Sequence, residues 1–97
     1  MDDEPFLAIA IQKARTGAET EYVGIMTEMI TFVATNGYGR DRFFKDDETG
    51  CFIDIREWRS REQARLAHSD PRLRVCWRRL AEVAETVAIY GDLVELG

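Results

Sequence analysis

The alternation of hydrophobic and polar residues along the chain predicts a strand followed by a long helix. Residues Phe6 to Lys13 form an apolar run with the length of a strand that is buried on both faces. Thr16 and Glu19 have the spacing of a capping box, with Thr16 at the N-cap and Glu19 at the third helical position. Apolar residues at a helical period continue to about Asn36, where the Asn-Gly pair provides a stop signal.

The middle of the chain predicts a hairpin. Arg40 to Lys45 and Cys51 to Trp58 are typical of strands, and Asp46 to Gly50 between them is typical of a turn. In a strand, alternate side chains point to the same face. One face of the second strand therefore carries Phe52, Asp54, Arg56 and Trp58, and the other carries Cys51, Ile53 and Ile55.

The last third of the chain predicts two helices and a closing strand. Ser60 and Gln63 have capping-box spacing and open a short helix that runs to about His68. Asp70 is the expected N-cap of the next helix, with Pro71 at its first position. The residues expected to form the buried face of that helix are Leu73, Cys76, Trp77, Leu80, Val83 and Ala84. The apolar run from Val87 to Leu96 is expected to be the final strand.

The order of these elements determines the predicted fold. Strand, helix, strand, strand, helix, strand is the order of the ferredoxin-like βαββαβ fold. We predict an α+β protein with a four-stranded antiparallel sheet that carries its helices on one face. The 97 residues are too few for two independent cores, so residues 1–97 are expected to form one domain.

The first and last strands are apolar on both faces. Ala8 and Ala10 lie on one side of the first strand and Ile9 on the other, and Ile89 and Tyr90 lie on opposite sides of the last. Because the helices cover only one face of such a sheet, the other face would be a large exposed apolar patch, which soluble monomers avoid. A homodimer in which two sheets pack face to face is therefore expected.

Composition and charge exclude several classes of protein. The chain has 18 acidic and 13 basic residues, a net charge of −5, which argues against general binding to nucleic acid. Its apolar runs are too short to span a membrane, and the acidic start from Met1 to Pro5 lacks the pattern of a signal peptide. With one histidine and two widely spaced cysteines, we expect no metal, no disulfide and a reduced, cytoplasmic location.

The positive charge is concentrated in one segment. Residues 56–79 contain eight arginines and three acidic residues, a local balance of +5, which leaves −10 for the rest of the chain. One interpretation is a solvated helical surface on which long arginine side chains cover apolar area. The other is a binding site for an anionic ligand or an acidic partner. The sequence does not separate the two.

A few residues are candidates for chemistry. His68 follows Ala64 by four residues and is expected on the inward side of its helix, either as a buried structural histidine or beside a ligand pocket. Trp58 and Trp77 are either core residues or pocket walls, and Tyr38 could cover a cleft. Asp54 and Arg56 lie in the middle of a strand on the same side as Trp58, and they are either an ion pair at a dimer interface or polar groups that point into a cavity.

Several of these residues together resemble a known family. The segment from Glu57 to Ala64, followed by His68 and by Ser69-Asp70-Pro71, is similar to the signature of the antibiotic biosynthesis monooxygenase superfamily. The terminal run that begins with Val87 also fits, so the resemblance covers nearly the whole chain. The resemblance implies a dimeric α+β barrel.

The same resemblance implies a chemistry. Enzymes of the family oxygenate electron-rich aromatic substrates, such as quinols and polyketide-derived phenols, without metal or flavin. Carried over to this chain, Trp58 would be a pocket wall and His68 a hydrogen-bonding residue or general base. The chain departs from the family pattern at Asp54, where quinol-type members have an amide, and it lacks the first-strand Asn of the haem-degrading relatives.

Three functions remain open from the sequence. The first is a monooxygenase that needs no cofactor and acts on a quinol or a phenolic, polyketide-like substrate. The second is a non-catalytic or stress-associated dimeric barrel that binds a small apolar ligand, and the third is a polyketide cyclase or isomerase. A cavity lined by Tyr38, Trp58, His68 and Trp77 would favour the first or third, and a packed interior would favour the second. The expected partners are a second copy of the chain and a small aromatic ligand, with neither nucleic acid nor membrane.

Overall fold

The computed structural model describes residues 4–97, which form one sheet and three helices. The first three residues, part of the acidic start considered above, lie outside the described residues. In chain order the elements are β1 (Phe6–Ala14), α1 (Glu19–Thr35), β2 (Gly39–Lys45), β3 (Phe52–Trp58), α2 (Arg61–His68), α3 (Pro71–Val83) and β4 (Ala84–Leu93).

The sheet has the strand order β2-β3-β1-β4, and every neighbouring pair is antiparallel. This confirms the predicted ferredoxin-like α+β fold, with α2 and α3 together in the place of the second helix. The two central strands are β3 and β1. Ala10 of β1 pairs with Asp54 of β3 on one side and with Ile89 of β4 on the other, which places these three side chains on the same face of the sheet.

The helices pack on that face and form the core with it. The predicted alternation of faces along β3 is present, and the structure places the face with Phe52, Asp54, Arg56 and Trp58 against the helices, where these residues are buried while those between them are half-buried. Helix α1 contributes most of the fully buried side chains, because its apolar stripe faces both the sheet and α3. Its buried residues are Tyr22, Ile25, Met26, Met29 and Val33.

The predicted start of α1 is wrong, whereas those of α2 and α3 are confirmed. Helix α1 begins at Glu19, and Ala18 occupies its N-cap without a side-chain cap. The chain first makes a turn in which Gly17 adopts a φ of +81°, so the helix starts later than the Thr16 capping box implied. Helices α2 and α3 have the expected caps. The side chain of Ser60 accepts a hydrogen bond from the backbone N–H of Gln63, and the side chain of Asp70 accepts one from the backbone N–H of Arg72.

The last strand begins earlier than expected. Strand β4 starts at Ala84, directly after the last residue of α3, and ends at Leu93. Ala84 was expected on the helix, and the polar residues after it gave no strand signal. Pairing of Ala84 with Ala14 and of Glu85 with Lys13 extends the strand backwards, so a tertiary contact overrides the local pattern here.

The face of the sheet opposite the helices is apolar and uncovered in the single chain. We call it the open face, and its centre is formed by Ile9, Ile11, Ile53 and Ile55. At its margins, Phe44 is 42% exposed and Tyr90 is 53% exposed. Among residues 4–97, no helix is both long enough and apolar enough to cross a membrane.

Candidate functional site

A cavity of about 120 Å³ lies between the sheet and the helices. Its polar lining comes from adjacent strands, with Gln12 on β1 and with Asp54 and Arg56 on β3. These three residues belong to the face of the sheet that the helices cover, and the small side chain of Ala10 between them leaves the space. Apolar residues form the remaining wall, namely Met26, Met29, Trp77, Leu80 and Ile89.

Two carboxyl groups and one guanidinium group are buried at one side of this cavity. Asp41 of β2 pairs across the sheet with Arg56, and Arg56 Nε donates a hydrogen bond of 2.8 Å to Asp41 Oδ2. The distance from Arg56 Nη2 to Asp54 Oδ2 is 3.6 Å, which is too long for a hydrogen bond. The three side chains are between 0% and 8% exposed, so water screens them little.

This arrangement raises the pKa of Asp54 from 3.8 to about 8. Burial is the largest cause, followed by the hydrogen bond with Asp41 and the negative charge of Asp41, while Arg56 acts in the opposite direction. One positive charge cannot neutralise two carboxylates, so the pair retains a proton near neutral pH.

Three polar atoms of this group lack a hydrogen-bond partner within the described part of the chain. They are Asp41 Oδ1, Asp54 Oδ1 and Arg56 Nη2. Buried polar atoms in folded proteins are nearly always paired, with protein or with bound molecules. Once Asp54 is protonated, the proton that it shares with Asp41 satisfies the carboxyl oxygens of the pair. Arg56 Nη2 gains no partner in this way, and because Arg56 lines the cavity, this nitrogen is suited to a polar group of a molecule bound there.

Gln12 is a polar cavity residue that the sequence analysis missed. The hydroxyl of Tyr22 donates a hydrogen bond of 2.8 Å to Gln12 Oε1, which leaves the amide nitrogen free to donate elsewhere. The pKa of Tyr22 is raised, mainly by burial and also by the charge of Asp54, so the tyrosine stays a neutral donor. The signal was present in the sequence, because Gln12 is the polar residue on a strand face that otherwise carries Phe6, Ala8 and Ala10.

Trp58, His68 and Trp77 form a contiguous group of rings. The imidazole of His68 is stacked on Trp77, with centroids 5.3 Å apart, and its distance to Trp58 is 5.4 Å. Trp58 in turn lies against Arg56, whose guanidinium carbon is 5.0 Å from the ring centroid. The buried charges beside the cavity are thus connected, through ring contacts, to the outer surface of the helices.

The expectation that His68 lies on the inward side of its helix is wrong. Helix α2 buries Ala64 and Ala67, and His68 at its last position is exposed. His68 Nδ1 lies 2.6 Å from the carbonyl oxygen of Ala64. Because a carbonyl oxygen only accepts, Nδ1 carries the hydrogen, and the lone pair of a neutral ring is on Nε2.

No protein-family model and no curated protein matches the chain. Solved structures do match it. SnoaB, a cofactor-independent oxygenase from Streptomyces nogalater, is 14% identical with a TM-score of 0.78, over 96% of this chain and 97% of that one. A Chloroflexus aurantiacus protein assigned to the antibiotic biosynthesis monooxygenases is 12% identical with a TM-score of 0.78, over 97% of this chain and 96% of its own.

The chain has the fold of the antibiotic biosynthesis monooxygenases. A third structure, Rv0793 from Mycobacterium tuberculosis, is 16% identical with a TM-score of 0.77, over 97% of this chain and 100% of that chain. The resemblance noted in the sequence is therefore confirmed for the fold. At sequence identities this low, a structural match shows the fold alone.

Within this fold, Tyr38 lies away from the cavity. Its hydroxyl donates a hydrogen bond of 2.8 Å to Asp70 Oδ2, and its ring packs against Phe32. Bonds from Arg72 and Tyr38 lower the pKa of Asp70 to about 2. Tyr38 thus fastens the turn before β2 to the N-terminus of α3.

The structure brings together some of the residues expected in the site. Asp54 and Trp77 line the cavity. Trp58 and His68 do not line it, but they contact two residues that do, Arg56 and Trp77. Tyr38 belongs to a separate contact. The cavity therefore has a carboxyl, a guanidinium and an amide on its polar side and an indole on its apolar side.

Proposed function

We propose that the protein is a cofactor-independent oxygenase that acts on a phenol or quinol with a single aromatic ring. The observation that carries the proposal is a buried carboxyl, Asp54, whose pKa is raised to about 8 on the wall of a largely apolar cavity. The fold shared with SnoaB, itself a cofactor-independent oxygenase, supports this class of reaction.

The size of the cavity supports a substrate with one ring. Its volume is about 120 Å³. An apolar protein cavity of about 150 Å³ binds benzene, and sites for larger ligands usually measure about 300 Å³ or more. A single phenolic ring is therefore the better match, with its faces against Trp77 and the methionines of α1.

The raised pKa makes Asp54 a suitable base for a phenol. A phenol has a pKa of about 10, so transfer of its proton to an ordinary aspartate is strongly unfavourable. Raising the pKa of Asp54 from 3.8 to about 8 removes most of that difference. The neighbouring guanidinium of Arg56 and the free amide nitrogen of Gln12 would stabilise the phenolate oxygen.

The proposed reaction consumes one molecule of dioxygen. The phenolate supplies two electrons to O₂, and a C–O bond forms at a ring carbon to give a hydroperoxide. A base removes the hydrogen at that carbon while the O–O bond breaks, which leaves a carbonyl group and releases water. One oxygen atom enters the quinone and the other leaves as water, so phenol plus O₂ gives quinone plus H₂O.

The aromatic residues around the cavity would hold the substrate and its partners in place and would not react themselves. Trp77 contacts the substrate ring, Trp58 supports Arg56, and His68 holds Trp77 from outside the cavity. Tyr38 contributes by fixing the N-terminus of α3, the helix that carries Trp77.

We further propose that the protein acts as a homodimer through its open face. Exposed apolar residues at the margins of that face, Phe44 and Tyr90, are those that a second sheet would cover. The helices and the cavity lie on the other side of the sheet, so this dimer would leave the site in place.

Oxygenation can be tested with isotope-labelled dioxygen and a panel of single-ring phenols and hydroquinones. The proposal predicts oxygen uptake with one labelled atom in the quinone, and activity that persists after treatment with a metal chelator. Asp54→Asn should lower the rate of uptake by about a hundredfold or more, whereas Asp47→Asn, the same change in the exposed β2–β3 turn, should not. Equal rates in both variants, or a product without label, would contradict the proposal.

A further inference from the structure

A wide groove lies on the outer side of α3. It has a volume of about 610 Å³ and is lined by Pro71, Arg74, Val75, Trp77 and Arg78. Val75 is 44% exposed and adds an apolar side chain to the two cationic side chains of the groove. Arg74 and Arg78 are four residues apart on one helix and therefore lie next to each other.

The two arginines of this groove lack the carboxylate partners that most of their neighbours have. Among residues 56–79, five of the eight arginines pair with a carboxylate, namely Arg56, Arg61, Arg65, Arg72 and Arg79. Within residues 4–97, neither Arg74 nor Arg78 forms an ion pair. Two like charges at this spacing repel each other, so an anion placed between them would be stabilised by both.

Trp77 belongs both to this groove and to the interior cavity. Its indole therefore separates the place proposed for the substrate ring from the two arginines. A ring in the cavity and a substituent in the groove would both contact Trp77, which lines both places. His68, exposed and stacked on Trp77, lies on the same side of the helical layer.

We infer that the substrate is an anionic phenol, with a carboxylate on a short flexible arm that Arg74 and Arg78 bind in the groove. The inference rests on the proposed function for the position of the ring. Guanidinium groups match carboxylates in geometry and charge. The rest of the chain carries −10 against +5 in this segment, so an anion is favoured here over other parts of the surface.

The inference can be tested by calorimetric titration with para-hydroxyphenylpropanoate and its methyl ester. The two probes share the ring and the arm and differ in charge. We expect the acid to bind about tenfold more tightly, because two exposed ion pairs contribute modestly. The double variant Arg74→Gln/Arg78→Gln should reduce the affinity for the acid to that for the ester, and it should leave the affinity for the ester unchanged. Arg79→Gln, on the same helix and outside the groove, is the control and should change neither.

Ionic strength provides a second readout, because the preference for the acid should shrink as salt screens the exposed arginines. Equal affinity for acid and ester in the wild type would overturn the inference. So would a preference that the double variant retains, or binding of neither probe. If the ester is oxygenated and the acid is not preferred, only this inference fails. If the acid binds through the arginines and neither probe is oxygenated, the proposed function fails instead.

Discussion

Asp54 links the stability of the protein to pH. Its pKa is raised from 3.8 to about 8, so below about pH 4 the carboxyl is protonated in both the folded and the unfolded chain. As the pH rises from about 4 to about 8, the unfolded chain releases this proton and the folded protein retains it. Across this window the wild type therefore loses stability.

Asp54→Asn should remove this loss. The amide is neutral at every pH and can still donate a hydrogen bond to Asp41. We expect the variant to be more stable than the wild type at about pH 8, and the difference to disappear near pH 4. Urea unfolding at both pH values measures this, with Asp47→Asn as the control. A difference that does not change with pH would show that burial does not raise this pKa.

Substitutions of His68 test whether the group of rings formed by Trp58, His68 and Trp77 only holds the substrate site in place. His68 is exposed, so His68→Ala should cost about 1 kcal/mol of stability or less. The same change removes the ring stacked on Trp77, so we expect weaker binding of a phenolic ligand. His68→Phe keeps a ring and removes both ring nitrogens, including the Nδ1 that bonds Ala64, and it should restore binding and turnover. If His68→Phe folds and binds the ligand but has no turnover, a ring nitrogen is required and the role proposed for His68 is wrong.

At the scale of elements, Asp70 joins two parts of the structure. It caps α3 through the Arg72 amide and accepts the Tyr38 hydroxyl from the turn before β2. Asp70→Ala should therefore lower the free energy of unfolding by about 1–2 kcal/mol, and Tyr38→Phe by about 1 kcal/mol.

The interaction between these two residues can be isolated by a double-mutant cycle in chemical denaturation. The pKa of Asp70 is lowered to about 2, so its contribution is present above pH 3.8 and is lost as the pH falls towards 2. Additive effects of the two substitutions would show that the hydrogen bond contributes nothing to stability.

Local signals predicted most of the elements and only part of the site. The caps at Ser60 and Asp70 could be predicted because each involves a side chain and a backbone amide two or three residues away. The start of β4 could not, because it depends on pairing with Ala14, seventy residues earlier in the sequence. The cavity depends on residues from five elements, so only Asp54, Arg56 and Trp77 of its lining were expected, and for Asp54 and Arg56 a dimer interface was the alternative.

For the whole molecule, the dimer proposed through the open face can be tested without disturbing the core. Tyr90 is 53% exposed in the single chain, so Tyr90→Lys should leave the fold intact. We expect sedimentation at about twice 11.2 kDa for the wild type and at the monomer mass for this variant. Val75→Lys makes a similar change at a residue that is 44% exposed on α3, and it should remain dimeric. A wild type that sediments only at 11.2 kDa at micromolar concentration would contradict the proposed dimer.

The pH dependence of kcat/KM tests the central claim, that Asp54 is the base, most directly. With a single-ring phenol as substrate, kcat/KM should rise with pH to a plateau, with a midpoint at about 8 where Asp54 loses its proton. Asp54→Asn should lower kcat/KM by about a hundredfold or more and remove that midpoint. A wild-type profile that is flat from about pH 6 to about pH 9, or a variant that keeps the same midpoint, would contradict this account.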